Sequence, residues 1–469
     1  MSSVKKVILR DFQIDAVNKL CLNEKTYNMG SVLAYDMGLG KTLIMSDFLI
    51  KKRNEEIPEF PDLIVVPPAV LLQWKTEILR IDDTKNIFIY HGPNRVSEFK
   101  SSKDKVDIVI TTYHSFVTRE LECYKWNRVV LDEAHIIRNG IENKYTVIPK
   151  KVIGAYAMIN ISKYRYCITG TPFNNRINDI LSLMKFIDCK EYDVKNFVNI
   201  FVLQKTKEGL LDPIETEIIY IDRPLNGLSE YNRLSSKYYY MLSLSRNSNI
   251  IQSRNLYQQS MMLLMKLRVF CDLMKESTFN NVIIEENEYE KIYENIKYTK
   301  EEEILFYDNS IKIKTVCDKL FDSITKVHKN RIIVFSCFIT TLDILESITN
   351  EKCKDILTFQ YNGKKNVNER KFIVDAFTNE DETRPMILFI SLGAGSSGLN
   401  LTPCSTVFLV DVSLNPFESS QAINRVHRIT QTEKVTVTKF CMKNMIEENI
   451  LKLHSKKFDD AKNNGLIFI

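Results

Sequence analysis

The stretch Asp36-Met-Gly-Leu-Gly-Lys-Thr42 constrains this chain more than any other. It follows the apolar run Ser31-Val-Leu-Ala34 and precedes Leu43-Ile-Met-Ser-Asp-Phe-Leu-Ile50, whose pattern is helical. The order predicts a strand, a glycine-rich loop and a helix. Gly38 and Gly40 let the backbone bend tightly, so that its N–H groups can surround a phosphate. Lys41 is placed to reach the β- and γ-phosphates, and the Thr42 hydroxyl to bind Mg²⁺. Asp36, Met37 and Leu39 complete the nucleotide-binding stretch. Tyr35 stands where such loops usually begin with glycine. An ordinary glycine turn before a helix is therefore the competing reading, and the rest of the chain must decide.

Arg128-Val-Val-Leu-Asp-Glu-Ala-His135 supplies the second half of a site. Val129, Val130 and Leu131 read as a buried parallel strand that ends at two adjacent carboxylates. Acidic residues at that end of a strand sit where α/β sheets bind ligands. Asp132 is suited to hold Mg²⁺, and Glu133 to orient and deprotonate an attacking water. With the glycine loop upstream, both halves of a metal–nucleotide site are present in the usual order.

At 469 residues the chain is too long for one typical core, so two or three domains are expected. No apolar run approaches the roughly 20 residues that span a bilayer, and the N-terminus lacks the apolar core of a signal peptide. The expected location is the nucleus or cytoplasm, neither secreted nor membrane-bound. The ten cysteines include no Cys-x-x-Cys pair, which argues against a structural zinc module and for reduced thiols. A formal charge of +5 permits a phosphate-backbone partner without requiring one.

Residues 1–222 alternate strand runs (Leu63–Val66, Ile87–Tyr90, Val106–Ile110, Val129–Leu131, Tyr166–Ile168) with helical patterns, the signature of a parallel sheet covered by helices. Residues 223–310 read as a helical insert, ending in a charged stretch from Glu285 to Glu303 that suits a solvated face or loop. The α/β pattern returns over 311–469, with strands including Arg331–Phe335, Met386–Ile390, Val407–Val410 and Val435–Val437.

The later motifs carry a family resemblance. Leu9-Arg-Asp-Phe-Gln-Ile14, Val65–Trp74, Thr111-Thr-Tyr113, Thr169–Asn175, Phe335-Ser336, Ser391–Thr402 and Gln421–Gln431 occur in the order found in Swi/Snf-type ATPases of helicase superfamily two. Leu264-Met-Lys-Leu-Arg-Val-Phe-Cys-Asp272 is similar to a Leu-Arg-x-x-Cys helix of that family. Asp132-Glu-Ala-His-Ile-Ile-Arg-Asn139 and Tyr90–Arg95 resemble the branch of postreplication-repair and transcription-termination ATPases, here without a RING module. The length fits compact members from large DNA viruses, which would act at a viral replication site or in the virion. Two departures stand out: Ser413-Leu414 replace a tryptophan pair before Asn415-Pro416, and Thr430 replaces a glycine.

The resemblance implies two RecA-like lobes, mostly parallel sheets with helices on both faces, closing on ATP and Mg²⁺. Gln13 would read the adenine. Val65–Trp74 and Thr111–Tyr113 would face DNA from lobe one, and Thr169–Asn175 would couple hydrolysis to lobe movement. Arg425 and Arg428, three residues apart and so expected on one helical face, would stabilise the transferring phosphoryl group. Thr111, Thr112, Ser336 and Ser391 would give hydroxyl contacts to phosphates, and Gly393, Gly395 and Gly398 would let backbone approach them. The expected function is ATP-dependent translocation on double-stranded DNA, sequence-independent, to remodel or displace bound protein complexes. A strand-separating helicase on DNA or RNA, and a non-hydrolysing DNA-binding scaffold, are the alternatives.

Overall fold

The computed structural model describes residues 8–56, 58–116, 119–137, 150–170, 177–189, 192–223, 228–247, 250–273, 310–324, 326, 331–379, 381–395 and 399–463. The chain divides into two compact units, 1–211 with 457–469, and 212–456.

The first unit is built on seven parallel strands: β1 (Val32–Tyr35), β2 (Asp62–Val66), β3 (Ile87–Tyr90), β4 (Ile108–Thr112), β5 (Trp126–Leu131), β6 (Ser162–Ile168) and β7 (Val202–Lys205). Their order is β3-β4-β2-β5-β6-β1-β7. Runs such as Leu63-Ile-Val-Val66 are apolar at every position because both faces of the sheet are covered. On one face Val32, Leu63, Val129 and Cys167 pack with Phe99, Phe116, Trp126 and Phe186. On the other, Phe48 meets Tyr166 edge to face. Phe48 comes from helix α2 (Lys41–Glu55), which is flanked by α1 (Asp11–Tyr27) and α3 (Leu71–Ile81).

The second unit has six parallel strands: β8 (Glu215–Ile221), β9 (Arg331–Ser336), β10 (Leu357–Tyr361), β11 (Met386–Ser391), β12 (Thr406–Leu409) and β13 (Thr436–Met442), in the order β10-β11-β9-β12-β13-β8. Numbered by its own chain order, each sheet reads 3-4-2-5-6-1, with β7 an added edge strand on the first. The two RecA-like lobes thus repeat one topology. The expected helical segment is real: helices span Leu228–Asn247 and Ile250–Leu273. Their Tyr231, Leu234, Leu267 and Phe270 enter the same core as Val316, Leu320, Phe408 and Phe440 of the second unit.

The expected boundary at 222 therefore needs correcting. β8 lies before it, yet pairs with β13 from Glu215↔Thr436 to Ile221↔Met442 and belongs to the second sheet. The helices assigned to a separate insert share that unit's core. β8 escaped notice because it is an edge strand: Glu215, Thr216 and Glu217 are exposed, so no continuous apolar run marks it. The charged stretch from Glu285 to Glu303 lies outside the described residues. Among the described residues no helix is long and apolar enough to cross a membrane.

Candidate nucleotide site

The glycine loop leaves the C-terminal end of β1 and runs straight into α2. Asp36 anchors its start: its N–H donates to Lys205 O (2.9 Å), and its carboxylate accepts from the Lys207 N–H (3.0 Å). Gly40, the N-cap of α2, has φ +81°, a left-handed conformation that suits glycine, and a Cβ there would come within 2.5 Å of Gln13 Nε2. Gln13 is buried, and both ends of its amide are in use. Oε1 accepts from the Arg10 N–H (3.0 Å) and Nε2 donates to Leu39 O (3.1 Å). The side chain expected to read adenine instead ties α1 to the loop here.

Met37 and Leu39 are buried too. So the side chains of Asp36, Met37 and Leu39 hold the loop in place, and what these residues offer a nucleotide is their backbone. The backbone N–H groups, Lys41 and Thr42 are what this loop offers a phosphate and a cation. Lys41 Nζ donates to Tyr35 O (2.8 Å) and Asp36 O (3.2 Å), the carbonyls at the loop's start. Gly170, just past β6, lies against the loop: a Cβ there would come 2.6 Å from Met37 Cγ and 3.3 Å from Lys41 Nζ.

Asp132 and Glu133 follow β5 directly. The Asp132 N–H donates to Val65 O (2.9 Å), and the Tyr113 hydroxyl donates to Asp132 O (2.7 Å). Asp132 Oδ2 accepts from the Trp74 indole N–H (2.8 Å) and Oδ1 from the Glu133 N–H (2.9 Å). Burial, and then the Glu133 charge, push the Asp132 carboxyl up to about 6, against the Trp74 hydrogen bond and the Lys41 charge. Lys41 and Asp132 are thus brought within electrostatic reach of each other. Among the described residues each Asp132 oxygen accepts one hydrogen bond and keeps a second lone pair. A divalent cation would offset the burial that now penalises its charge. Thr42, Asp132 and the loop therefore fit Mg²⁺ with a nucleotide. Glu133 has φ +50°, a conformation that costs a non-glycine residue about 1–3 kcal/mol and clusters at functional sites. Its Oε2 lies 3.2 Å from His135 Nδ1.

In the second unit the helix Pro416–Ile423 stops short of both candidate arginines. Arg425 and Arg428 lie in the turns that follow, not on one helical face, because the chain leaves the helix at Asn424. They are nevertheless brought together. Burial first, then the Arg425 charge, push Arg428 down to about 9. Arg428 Nη2 donates to Leu399 O, while its Nε has no hydrogen-bond partner among the described residues. The Leu401 N–H donates to Arg425 O (3.1 Å), and Gln431 Nε2 donates to Thr402 O (3.0 Å) and Cys404 O (2.9 Å). The arginine segment is thereby fixed to the chain that follows the Ser391 motif. Two guanidinium groups this close suit an anion.

The hydroxyls expected to touch phosphates mostly point inward. Thr111 is buried and donates to Tyr90 O (2.9 Å), and Thr112 is buried against Ser115 (3.2 Å). Ser336 is buried and donates to Asp411. These three are structural in this conformation: a residue at a strand's end has a predictable place, but the strand's alternation sets which way it faces. Ser391 closes β11 and is also buried. Gly393 is exposed, and a Cβ there would meet nothing within 4 Å. Gly395 ends the short helix Leu392–Gly395. Gly398, Thr171–Asn175, Arg138 and Asn139 lie outside the described residues. Sequence reasoning missed Trp74 as a partner of Asp132. It lay inside a segment assigned to DNA, although an indole placed early on a core-facing helix is the kind of donor a buried acid attracts.

Two α/β units of one topology, the first with a phosphate loop and an Asp-Glu pair at the ends of β1 and β5, define the two-lobed architecture of helicase superfamily two. The chain belongs to the SNF2-related family: the model for the SNF2-related domain matches residues 12–330, and that for the helicase conserved C-terminal domain matches 311–430. Similar proteins include the ISWI chromatin-remodeling complex ATPase ISW2 of Saccharomyces cerevisiae, 28% identical over 97% of this chain and 41% of its own length. The ATP-dependent helicase fft3 of Schizosaccharomyces pombe is 26% identical over 96% of this chain and 56% of its own. The chain thus spans about half the length of the curated relatives it matches. Among solved structures, the Sulfolobus solfataricus SWI2/SNF2 ATPase core in complex with dsDNA is 22% identical, with a TM-score of 0.42, covering 98% of this chain and 94% of that one.

Proposed function

We propose that this chain hydrolyses ATP to translocate on double-stranded DNA, largely without regard to sequence, and so remodels or displaces proteins bound there. The observation that carries the reading is the convergence of Lys41, Asp132 and Glu133 at the C-terminal ends of β1 and β5. The relatives' descriptions as chromatin-remodeling ATPase and ATP-dependent helicase point the same way.

The loop N–H groups bind the phosphates, and Lys41 leaves the Tyr35 and Asp36 carbonyls to meet their charge. Thr42 and Asp132 would hold Mg²⁺, which would supply positive charge to offset that of the phosphates. Glu133 takes the proton of the attacking water. Arg425 and Arg428 act on charge that develops in the transition state, so they serve turnover more than affinity. DNA backbone contacts, made by surfaces other than the buried hydroxyls of Thr111, Thr112 and Ser336, promote the hydrolysing arrangement.

Steady-state ATP hydrolysis measured with duplex DNA, single-stranded DNA, RNA or no nucleic acid tests this. Duplex DNA should stimulate most, with an effect that fades as salt rises, since phosphate contacts compete with counterions. A preference for RNA or single strands would favour a strand-separating helicase. No hydrolysis under any condition would leave a binding scaffold.

A further inference from the structure

Trp74 lies on α3 within the segment Val65–Trp74, which the family resemblance assigns to DNA. Its indole does not face solvent: the side chain is fully buried. An indole N–H can only donate, and when buried it must find an acceptor. Here the acceptor is Asp132 Oδ2 at 2.8 Å. Among the described residues no other side chain donates to that carboxylate; its second hydrogen bond comes from the Glu133 backbone to Oδ1. The backbone bond alone leaves the carboxylate free to swing about the Cβ–Cγ bond. A flat ring locked in the core removes that freedom, because its N–H has one direction and the ring cannot turn without displacing its neighbours.

We propose that Trp74 is a positioning residue for the metal. Its N–H fixes the plane of the Asp132 carboxylate so that the remaining lone pairs present one geometry to the cation. This rests on the reading that Asp132 holds Mg²⁺. It goes further by assigning an orienting role to a side chain that touches neither nucleotide nor metal. Partners of this kind are worth about 10–100-fold in metal affinity where they have been removed from metal sites.

The test uses the full chain and reads binding, not turnover. Labelled with 5-fluorotryptophan, the protein gives two ¹⁹F resonances, one for each of its two tryptophans; Trp126→Phe assigns them. Trp126 donates to Leu121 O and is the internal control. The Trp74 resonance should shift on adding Mg²⁺ with ADP but not ADP with EDTA, and the Trp126 resonance should stay. In parallel, Mn²⁺·ADP affinity is read by electron paramagnetic resonance. Trp74→Phe should weaken it about 10–100-fold, with ADP affinity in EDTA unchanged. If Asp132→Asn binds Mn²⁺·ADP like the native chain, the metal reading itself fails. If Asp132→Asn loses the cation while Trp74→Phe keeps it within about twofold, the positioning role alone fails. Should Trp74→Phe not fold, the native resonances decide: a Trp74 signal indifferent to the cation overturns the proposal.

Discussion

The fifth strands of the two sheets end differently. Leu131 pairs with Val65 in the first unit and Leu409 with Phe335 in the second, so the repeated topology sets Asp132-Glu133 against Val410-Asp411. Glu133 is held in a strained backbone conformation beside His135, and its neighbour Asp132 keeps lone pairs to spare. Asp411 is turned to structural partners: it accepts from the Ser336 hydroxyl and the Cys337 N–H, and Arg268 of the long helix Ile250–Leu273 lies 3.9 Å away. Nearby, Lys312 Nζ donates to Asp272 (2.7 Å) and Glu447 (2.6 Å), all three fully buried. One copy of the fold keeps the C-terminal ends of its strands available for ligand. The other fills the equivalent place with charge pairs that bind its helices to its sheet. In the first unit the comparable network, Glu24–Arg128–Asp62–Arg53, lies near the opposite, N-terminal end, where Asp62 begins β2.

The comparison breaks most visibly if the open end does no chemistry. Lys41→Ala should abolish ATP hydrolysis with little change in melting temperature, because Lys41 is a half-buried loop-end side chain outside the hydrophobic core. Arg425→Ala and Arg428→Ala should each lower DNA-stimulated turnover by roughly 10³–10⁵, as arginine fingers do, with nucleotide affinity nearly intact. Normal stimulated turnover in both would reduce them to structural arginines.

Glu133→Gln sharpens the contrast with Asp411. The amide keeps the shape but cannot take a proton, so turnover should fall by about 10²–10⁴ while nucleotide binding survives. Equal loss of binding and turnover would make Glu133 a metal ligand or a structural group. The second unit should respond in the opposite currency. Lys312→Met leaves Asp272 and Glu447 buried without their cation, and breaking such a pair costs about 3–5 kcal/mol. Urea unfolding reads that loss. Stability unchanged within about 1 kcal/mol would mean that the carboxyls protonate instead, the direction in which burial already pushes Asp272.

How much of this was legible follows the same divide. The loop 36–42 and Asp132-Glu133 stand out because ligand chemistry fixes residue type and spacing together, and both fall at strand ends that apolar runs announce. Asp272, Lys312 and Glu447 form a hub in which Lys312 and its partner Glu447 are 135 positions apart, and no local spacing encodes that. β7, β8 and β10 are not among the strands expected from the sequence. β8 is an exposed edge strand and β10 is only half-buried, so neither carries the continuous apolar run of a covered strand. Turns after Ile423, not the expected shared helical face, bring Arg425 and Arg428 together. Thr111, Thr112 and Ser336 show the limit of motif transfer, which locates a residue without giving its rotamer.

The smallest expected effect concerns the ion network at the far end of the first sheet. Burial alone would raise the Glu24 carboxyl. Arg128 at 2.7 and 2.8 Å, the Tyr166 hydroxyl at 2.6 Å and Lys52 at 3.7 Å outweigh it and hold Glu24 below the ordinary range. A carboxyl whose folded pKa lies below its unfolded value stabilises the fold above that unfolded value, about 4.3 for glutamate, and loses this as pH falls through the folded one. Asp62 has the opposite sign: burial pushes it up despite Arg128 and Arg53, so its ionisation opposes folding as pH rises through the same region. The two contributions oppose each other, so the native slope is shallow; Glu24→Gln removes the member that stabilises as pH rises and leaves that of Asp62, so the variant should lose melting temperature relative to the native chain as pH rises through this region. Melting temperatures of the native chain and the variant, compared between about pH 3 and 7, check this. Because the network stands away from Asp132, the variant's ATP turnover at neutral pH should match the native chain's. A variant that loses turnover while keeping its melting temperature would show that the far end of the sheet is coupled to the site, and the division between a stabilising end and a chemical end would fall.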